Sequence, residues 1–298
     1  MSKDWNIEQS PDLKDKVIII TGANSGLGFE SAKVFASKNA ITIMAVRNIA
    51  KGETVKKKFL QDDPNATIHV MKLDLSDLES IHSFVNEFKK EFTALHFLVN
   101  NAGVMMPPYG QTKDGFDIQM GTNHFGHFAL TGLLFPILSK TKDARIATVS
   151  SMVHRAGNIN FDDINWTKRK YKKMSAYGDS KLANLYFTYE LNRLIQSRNL
   201  DIKVNAAHPG WTATDLQRHS GMTNVGNLVF GQKPWKGALP TLRALFDEDL
   251  SSGEYYGPRG FLEFGGYPKK VKSNKRSHNE TIAKQLFTVS EELTKVTF

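Results

Sequence analysis

The 298-residue sequence predicts an α/β protein, a doubly wound and mostly parallel sheet of about seven strands with helices on both faces. Three observations predict it. Strand-like and helix-like stretches alternate from Lys16 to Ser151, the strand-like ones are apolar without polar alternation, and a glycine-rich turn joins the first strand to the first helix.

Val17–Thr21 reads as the first strand because Val and Ile run through it without interruption, as expected for a strand covered on both faces. A segment of helical period, Gly26–Lys38, follows, then a strand at Ile41–Val46 and a helix at Ala50–Leu60. The third strand is expected at Thr67–Lys72 and the third helix at Leu78–Phe92, with Ser76 and Asp77 as candidate caps. Next come a strand at His96–Asn100, a long helix across Gly115–Leu138, a strand at Arg145–Ser150, a helix at Ser175–Arg198 and a strand at Lys203–His208. A weaker seventh strand is expected at Gly260–Glu263.

Trp211–Pro240 breaks the rhythm with glycines, prolines and scattered apolar residues such as Leu228, Val229, Phe230 and Trp235. It follows the C-terminal end of a strand, where open α/β sheets place their ligands, so it is expected to be a substrate loop. No repeat or Pro/Gly/Ser-rich seam divides the chain. The expectation is a single domain over 1–298, with a core at 16–210, the substrate loop at 211–240 and a C-terminal extension at 265–298.

The chain contains no cysteine, which excludes disulfides, thiolate metal sites and cysteine nucleophiles, and a reducing cytoplasmic setting fits best. Met1–Lys16 lacks the apolar core of a signal peptide and no apolar run reaches membrane-spanning length, so a protein without a membrane span is expected. Lys plus Arg minus Asp plus Glu is 39 − 30 = +9, a balance that attracts anions without choosing among them.

The turn after the first strand reads Thr21-Gly22-Ala23-Asn24-Ser25-Gly26-Leu27-Gly28. Glycines there let the backbone turn sharply and approach a pyrophosphate at a helix N-terminus, the place where a Rossmann-type sheet holds a dinucleotide. The second strand ends at Arg47. An acidic residue at that point would meet a ribose 2′-hydroxyl, whereas Arg accommodates a 2′-phosphate, so NADP(H) is expected in preference to NAD(H), with Lys51 as a candidate helper.

In order along the chain, Thr21–Gly28, Asp74-Leu75, Asn100-Asn101-Ala102-Gly103, Asn123, Ser150-Ser151, Tyr177-x-x-x-Lys181 and Pro209-Gly210 together resemble the short-chain dehydrogenase/reductase family. The resemblance spans roughly residues 16–210. Arg47-Asn48, Asn123-His124-Phe125-Gly126-His127-Phe128, Ser151-x-x-His154, Tyr177-x-x-Ser180-Lys181-Leu182-Ala183-Asn184 and His208-Pro209-Gly210 look like its retinol-dehydrogenase-like branch.

Tyr177 and Lys181 are four apart in a helical stretch, so they share a face, and the ammonium is expected to draw the phenol pKa down. Ser151 leaves the fifth strand at its C-terminal end, with Ser150 its rival by one position; the family pattern favours Ser151. The same resemblance implies that the Asn123 carbonyl orders a water beside Lys181. It further implies that Asp74 meets the adenine, that Leu75, Asn101, Ala102 and Gly103 line the adenosine side, and that Pro209, Gly210 and Thr212 frame the nicotinamide carboxamide. The implied reaction is reduction of a carbonyl, or oxidation of an alcohol, of an apolar small molecule, with Tyr177 as general acid/base. A homodimer or homotetramer is compatible with the family.

His124 and His127 lack a third ligand or a matching carboxylate, so no metal is expected. The basic runs Lys168–Lys173 and Lys269–Arg276 read as solvated surface, and no nucleic-acid-reading module is visible. A catalytically silent NADP-binding regulator is the alternative, and it would need only the glycine turn, not Ser151, Tyr177 and Lys181.

Overall fold

The structure is a computed structural model, which describes residues 4–212 and 231–298. Among the described residues, β1 (Val17–Thr21), β2 (Ile41–Val46), β3 (Ile68–Lys72), β4 (Phe97–Asn100), β5 (Ala144–Val149), β6 (Ile202–Ala207), β7 (Tyr255–Pro258) and β8 (Pro268–Lys270) form one sheet in the order β3-β2-β1-β4-β5-β6-β7-β8. The first seven run parallel and β8 closes the edge antiparallel to β7. This is the doubly wound Rossmann-type architecture, and the order reverses between β1 and β4, the switch point at which such sheets open a crevice.

The absence of polar alternation in the strands has a direct structural cause. In β1, Val17 and Ile19 enter the core beneath α3 (Leu78–Glu91) and α5 (Gly126–Leu138), while Ile18 and Ile20 enter the core beneath α1 (Gly26–Ser37) and α7 (Pro234–Phe246). Both faces are covered, so both must be apolar, at about 1.5–3 kcal/mol for each large side chain buried. Between these elements, α2 (Ile49–Asp62) starts on Asn48, whose side chain accepts from Lys51 N, and α3 starts on Asp77, which accepts from Glu79 N and Ser80 N.

The expected helix over 115–138 is broken in three. Asp117 caps a short α4 (Ile118–Met120), the chain then widens into a π turn at Gly121–Phe125, and only from Gly126 does it continue as α5. Asn123 therefore lies in a π turn, a feature found often at functional sites, rather than in the middle of a regular helix. The strand expected at Gly260–Glu263 is the tip of the β7–β8 hairpin: Leu262 and Glu263 take left-handed φ values of 49° and 60°, and Phe261 is 82% exposed. An apolar run resembled a strand there although its side chains are not buried. Residues 234–240, expected within a loop, begin α7 with Pro234 in its first turn. The remainder of the expected substrate loop, 213–230, lies outside the described residues.

The long α6 (Lys173–Ser197) lies against β5 and β6, and α8 (Glu280–Thr294) covers α6 and α5. The C-terminal Phe298 stacks edge-on against Phe128 and Phe135, with ring centroids at 5.1 and 5.2 Å. Among the described residues no helix is long and apolar enough to cross a membrane.

Candidate active site

Because the strands are parallel, everything that leaves a C-terminal end arrives at one edge of the sheet: the glycine turn after β1, Arg47 after β2, Asn101–Gly103 after β4, Ser151 after β5 and Pro209–Thr212 after β6. Gly22 holds a left-handed φ of +68°, and a Cβ on Gly28 would come within 2.4 Å of the Gly22 carbonyl oxygen. Side chains are thus shut out of the turn. Ser25, the N-cap of α1, is exposed and makes no side-chain cap hydrogen bond, so its hydroxyl is not spent on the helix end. Arg47 is exposed at the end of β2, and the glycine turn with this helix N-terminus fits a dinucleotide pyrophosphate.

The turn is held by Thr21. Its hydroxyl oxygen lies 2.9 Å from the backbone nitrogens of Asn101 and Ala102, and the Asn101 side chain donates to the Thr21 carbonyl at 2.8 Å. Asp74 keeps its carboxylate on its own chain, where Oδ1 accepts from the backbone N–H and hydroxyl of Ser76 at 3.0 and 2.6 Å. Leu75 is buried among the core residues under α3 and α5.

Ser151, Tyr177, Lys181 and Asn123 come together at the centre of that edge. The Ser151 side chain lies against the Tyr177 phenol and favours its ionised form, while its Oγ also accepts from Val153 N at 3.2 Å. Lys181 Nζ donates to the Val149 carbonyl at 3.0 Å and sits 5.8 Å from the Tyr177 ring centroid. A Cβ placed on Gly103 would lie 2.9 Å from Asn123 Oδ1 and 3.6 Å from Lys181 Nζ, which sets the loop after β4 directly against both. Asn123 clasps that loop, accepting from Val104 N at 2.8 Å and donating to Val104 O at 3.0 Å, and it also donates to Ser180 Oγ on α6 at 2.9 Å. The Ser150 hydroxyl is committed elsewhere, donating to the Lys181 carbonyl at 2.8 Å.

Burial dominates the electrostatics. It pushes the Tyr177 phenol up to about 12, with the Ser151 side chain acting the other way, and pushes Lys181 down to about 8. The lowering expected from Lys181 together with an oxidised nicotinamide is not produced by the protein's own groups. The phenolate is desolvated, and the ammonium that would offset this is itself desolvated and bonded to Val149 O.

On the far side of the edge, the Pro209–Thr212 turn is fixed by Gly210 at a φ of +68°, by Thr212 Oγ1 donating to Pro209 O at 2.9 Å and by Gln232 Nε2 donating to the same carbonyl at 2.6 Å. The rings of Trp211 and Phe264 meet edge-on at 6.4 Å and give the turn an apolar flank. A separate cavity of about 430 Å³, lined by Trp166, Arg169, Lys170, Lys172, Ser175 and Asp179 among others, does not include Ser151, Tyr177 or Lys181. The basic run that borders it is partly committed, since Arg169 lies over the Trp166 ring at 3.6 Å and pairs with Asp163 and Asp179.

Residues 16–224 match the short chain dehydrogenase family. The chain belongs to that family. It is 39% identical over 286 residues to retinol dehydrogenase 12 of Mus musculus, covering 94% of this chain and 87% of the mouse protein, which sets it in the retinol-dehydrogenase-like branch. An uncharacterized protein from Mycobacterium paratuberculosis has a solved structure that superposes with a TM-score of 0.84 at 38% identity, covering 99% of each chain. A short chain dehydrogenase from Shigella flexneri, solved in complex with NADP, shares the fold with a TM-score of 0.66 at 23% identity, over 83% of this chain and 98% of that one.

Within this short-chain dehydrogenase frame, the structure also brings in residues that the sequence left out. His127 Nε2 lies 2.9 Å from Thr21 Oγ1 and its Nδ1 lies 3.0 Å from the Asn123 carbonyl, so it bridges the glycine turn and the π turn. His154 holds the Ser151 carbonyl at 2.7 Å through Nδ1. The one signal for His127 was its position four residues after Asn123, which places both on one face of a helical stretch. Among the described residues no group of three or more His, Asp and Glu side chains could hold a metal ion.

Proposed function

We propose that this oxidoreductase reduces the carbonyl of an apolar small molecule, or oxidises the corresponding alcohol, with NADP(H) in preference to NAD(H). When bound, the nicotinamide cofactor supplies or takes up the hydride. Ser151 donates a hydrogen bond to the substrate oxygen, where negative charge develops. Tyr177 gives its phenolic proton to that oxygen, so that C=O plus hydride plus proton becomes CH–OH. Lys181 and the Asn123 carbonyl, through a water held between them, return a proton to the phenol from solvent.

The convergence of Ser151 and Lys181 on the buried Tyr177 side chain carries this reading. Burial keeps the Tyr177 phenol protonated at neutral pH, so the proton for reduction is in place before substrate binds. An exposed Arg47 at the end of β2, where no acidic residue stands, supports the choice of NADP, as does the NADP carried by the Shigella flexneri protein. Asp74, Leu75, Asn101, Ala102 and Gly103 would lie along the adenosine side, with Asn24, Ser25, Gly26 and Leu27 around the pyrophosphate and Pro209, Gly210 and Thr212 around the carboxamide. The Trp211–Phe264 flank supports an apolar substrate, as does the retinol named in the mouse relative. The chain is read as one domain, with residues 265–298 completing it.

The test follows NADPH and NADH absorbance with a panel of carbonyls: retinaldehyde, 4-nitrobenzaldehyde, medium-chain aldehydes and aryl ketones. Oxidation of NADPH at a kcat/KM well above that with NADH is expected for at least one of them. No oxidation across the panel, or equal use of the two cofactors, would overturn the reading.

A further inference from the structure

His127 opens α5 one helical turn beyond Asn123 and is 1% exposed, with both ring nitrogens in hydrogen-bond contact. The Asn123 carbonyl can only accept, so Nδ1 carries the proton and donates to it at 3.0 Å. Nε2 is then a bare acceptor. Its partner at 2.9 Å is the Thr21 hydroxyl, whose proton also has the Val99 carbonyl within reach at 3.3 Å, while the N–H groups of Asn101 and Ala102 point to Thr21 Oγ1. With Nδ1 protonated, the bonds run from the β4 loop to Thr21, from Thr21 to His127 in its shorter contact, and from His127 to the Asn123 carbonyl.

We propose that His127 is a positioning residue, which aims the Asn123 carbonyl for the proton relay and ties it through Thr21 to the turn that holds the nucleotide; this rests on the reductase reading above. The backbone around Asn123 is a π turn, a departure found often at functional sites, and its carbonyl receives a side-chain donor in addition to the backbone. His127 is that donor. Burial holds the imidazole neutral, its pKa pushed down to about 4, and a charged ring would set a second cation against Lys181. A neutral donor is what the relay tolerates.

His124 supplies the contrast. It is equally buried, three residues earlier, and its Nε2 bonds Ser290 Oγ at 2.9 Å on α8, away from the relay. A merely structural role for buried histidines predicts that both positions behave alike; the positioning role predicts that they differ.

The experiment uses the full chain as wild type, His127→Phe, His127→Gln, His124→Phe and Tyr177→Phe, with NADPH and 4-nitrobenzaldehyde as the probe pair. His127→Phe is expected to lower kcat by about tenfold or more, while KM and the NADPH Kd from fluorescence titration stay within about twofold. Its solvent deuterium isotope effect on kcat should rise as reprotonation becomes limiting. Gln offers one donor and one acceptor, so His127→Gln should recover most of the loss, and His124→Phe should cost stability without moving the isotope effect. An independent readout is the nitrogen-15 spectrum of histidine-labelled protein, in which His127 should appear as the neutral Nδ1–H tautomer.

An Nε2–H tautomer, an unchanged kcat in His127→Phe, or equal losses in His127→Phe and His124→Phe would each overturn the proposal. If Tyr177→Phe is inactive while His127→Phe matches wild type, the positioning role fails and the reductase reading stands. Wild type that oxidises no NADPH removes both.

Discussion

Lys181 is expected to be bought for catalysis at the expense of folding stability, and Lys181→Met should show it. Burial lowers the ammonium from 10.5 to about 8. At about 1.4 kcal/mol per unit, the buried charge costs roughly 3 kcal/mol of folding free energy wherever both states are protonated, which is below pH 8. Between pH 8 and 10.5 the unfolded chain still binds this proton and the folded chain has lost it, so wild-type stability rises with pH through that window. The substitution leaves no acceptor stranded, because the Val149 carbonyl keeps the Asn184 side-chain donor at 3.0 Å. Lys181→Met should therefore be more stable than wild type at pH 7 by about 2–3 kcal/mol, or about 5 °C in Tm for a chain of this size, while losing turnover. The gap should narrow from pH 8 and vanish near pH 10.5. Urea melts at pH 7 and pH 10 with parallel NADPH assays measure this; a variant no more stable than wild type at pH 7, or a gap that widens with pH, would refute the reasoning.

Other substitutions separate the parts of the site. Arg47→Asp should reverse the cofactor preference, read as the ratio of kcat/KM for NADPH and NADH, and an unchanged ratio would remove Arg47 from the 2′-phosphate. Gly28→Val should abolish NADPH binding in a fluorescence titration, since even a Cβ there meets the Gly22 carbonyl at 2.4 Å. Ser151→Ala should lower kcat by about 10²-fold or more. Ser150→Ala should instead act on stability, because its hydroxyl binds the Lys181 carbonyl; the opposite ranking of the two serines would reverse their assignment.

The central strands were legible because both sheet faces are covered, which leaves a Val and Ile run in β1 and a largely apolar stretch in β2. The glycine turn and the Tyr177–Lys181 pair were legible for a similar reason: the chemistry demands those residue types at those spacings. What one sequence could not carry was context. The π turn around Asn123 has no periodicity of its own to announce it, the Gly260–Glu263 run is apolar but exposed, and the raised Tyr177 phenol follows from burial that only packing reveals. The contacts of His127 and His154 were not legible either. Their partners are backbone carbonyls brought close by folding, and no side-chain motif marks a carbonyl.

The most direct test of the account is single-turnover oxidation of pre-bound NADPH by an aldehyde substrate, comparing wild type with Tyr177→Phe at full NADPH occupancy. The account requires that the variant bind NADPH as tightly as wild type and lose nearly all of its oxidation rate. A Tyr177→Phe protein that oxidises bound NADPH at close to the wild-type rate would contradict it.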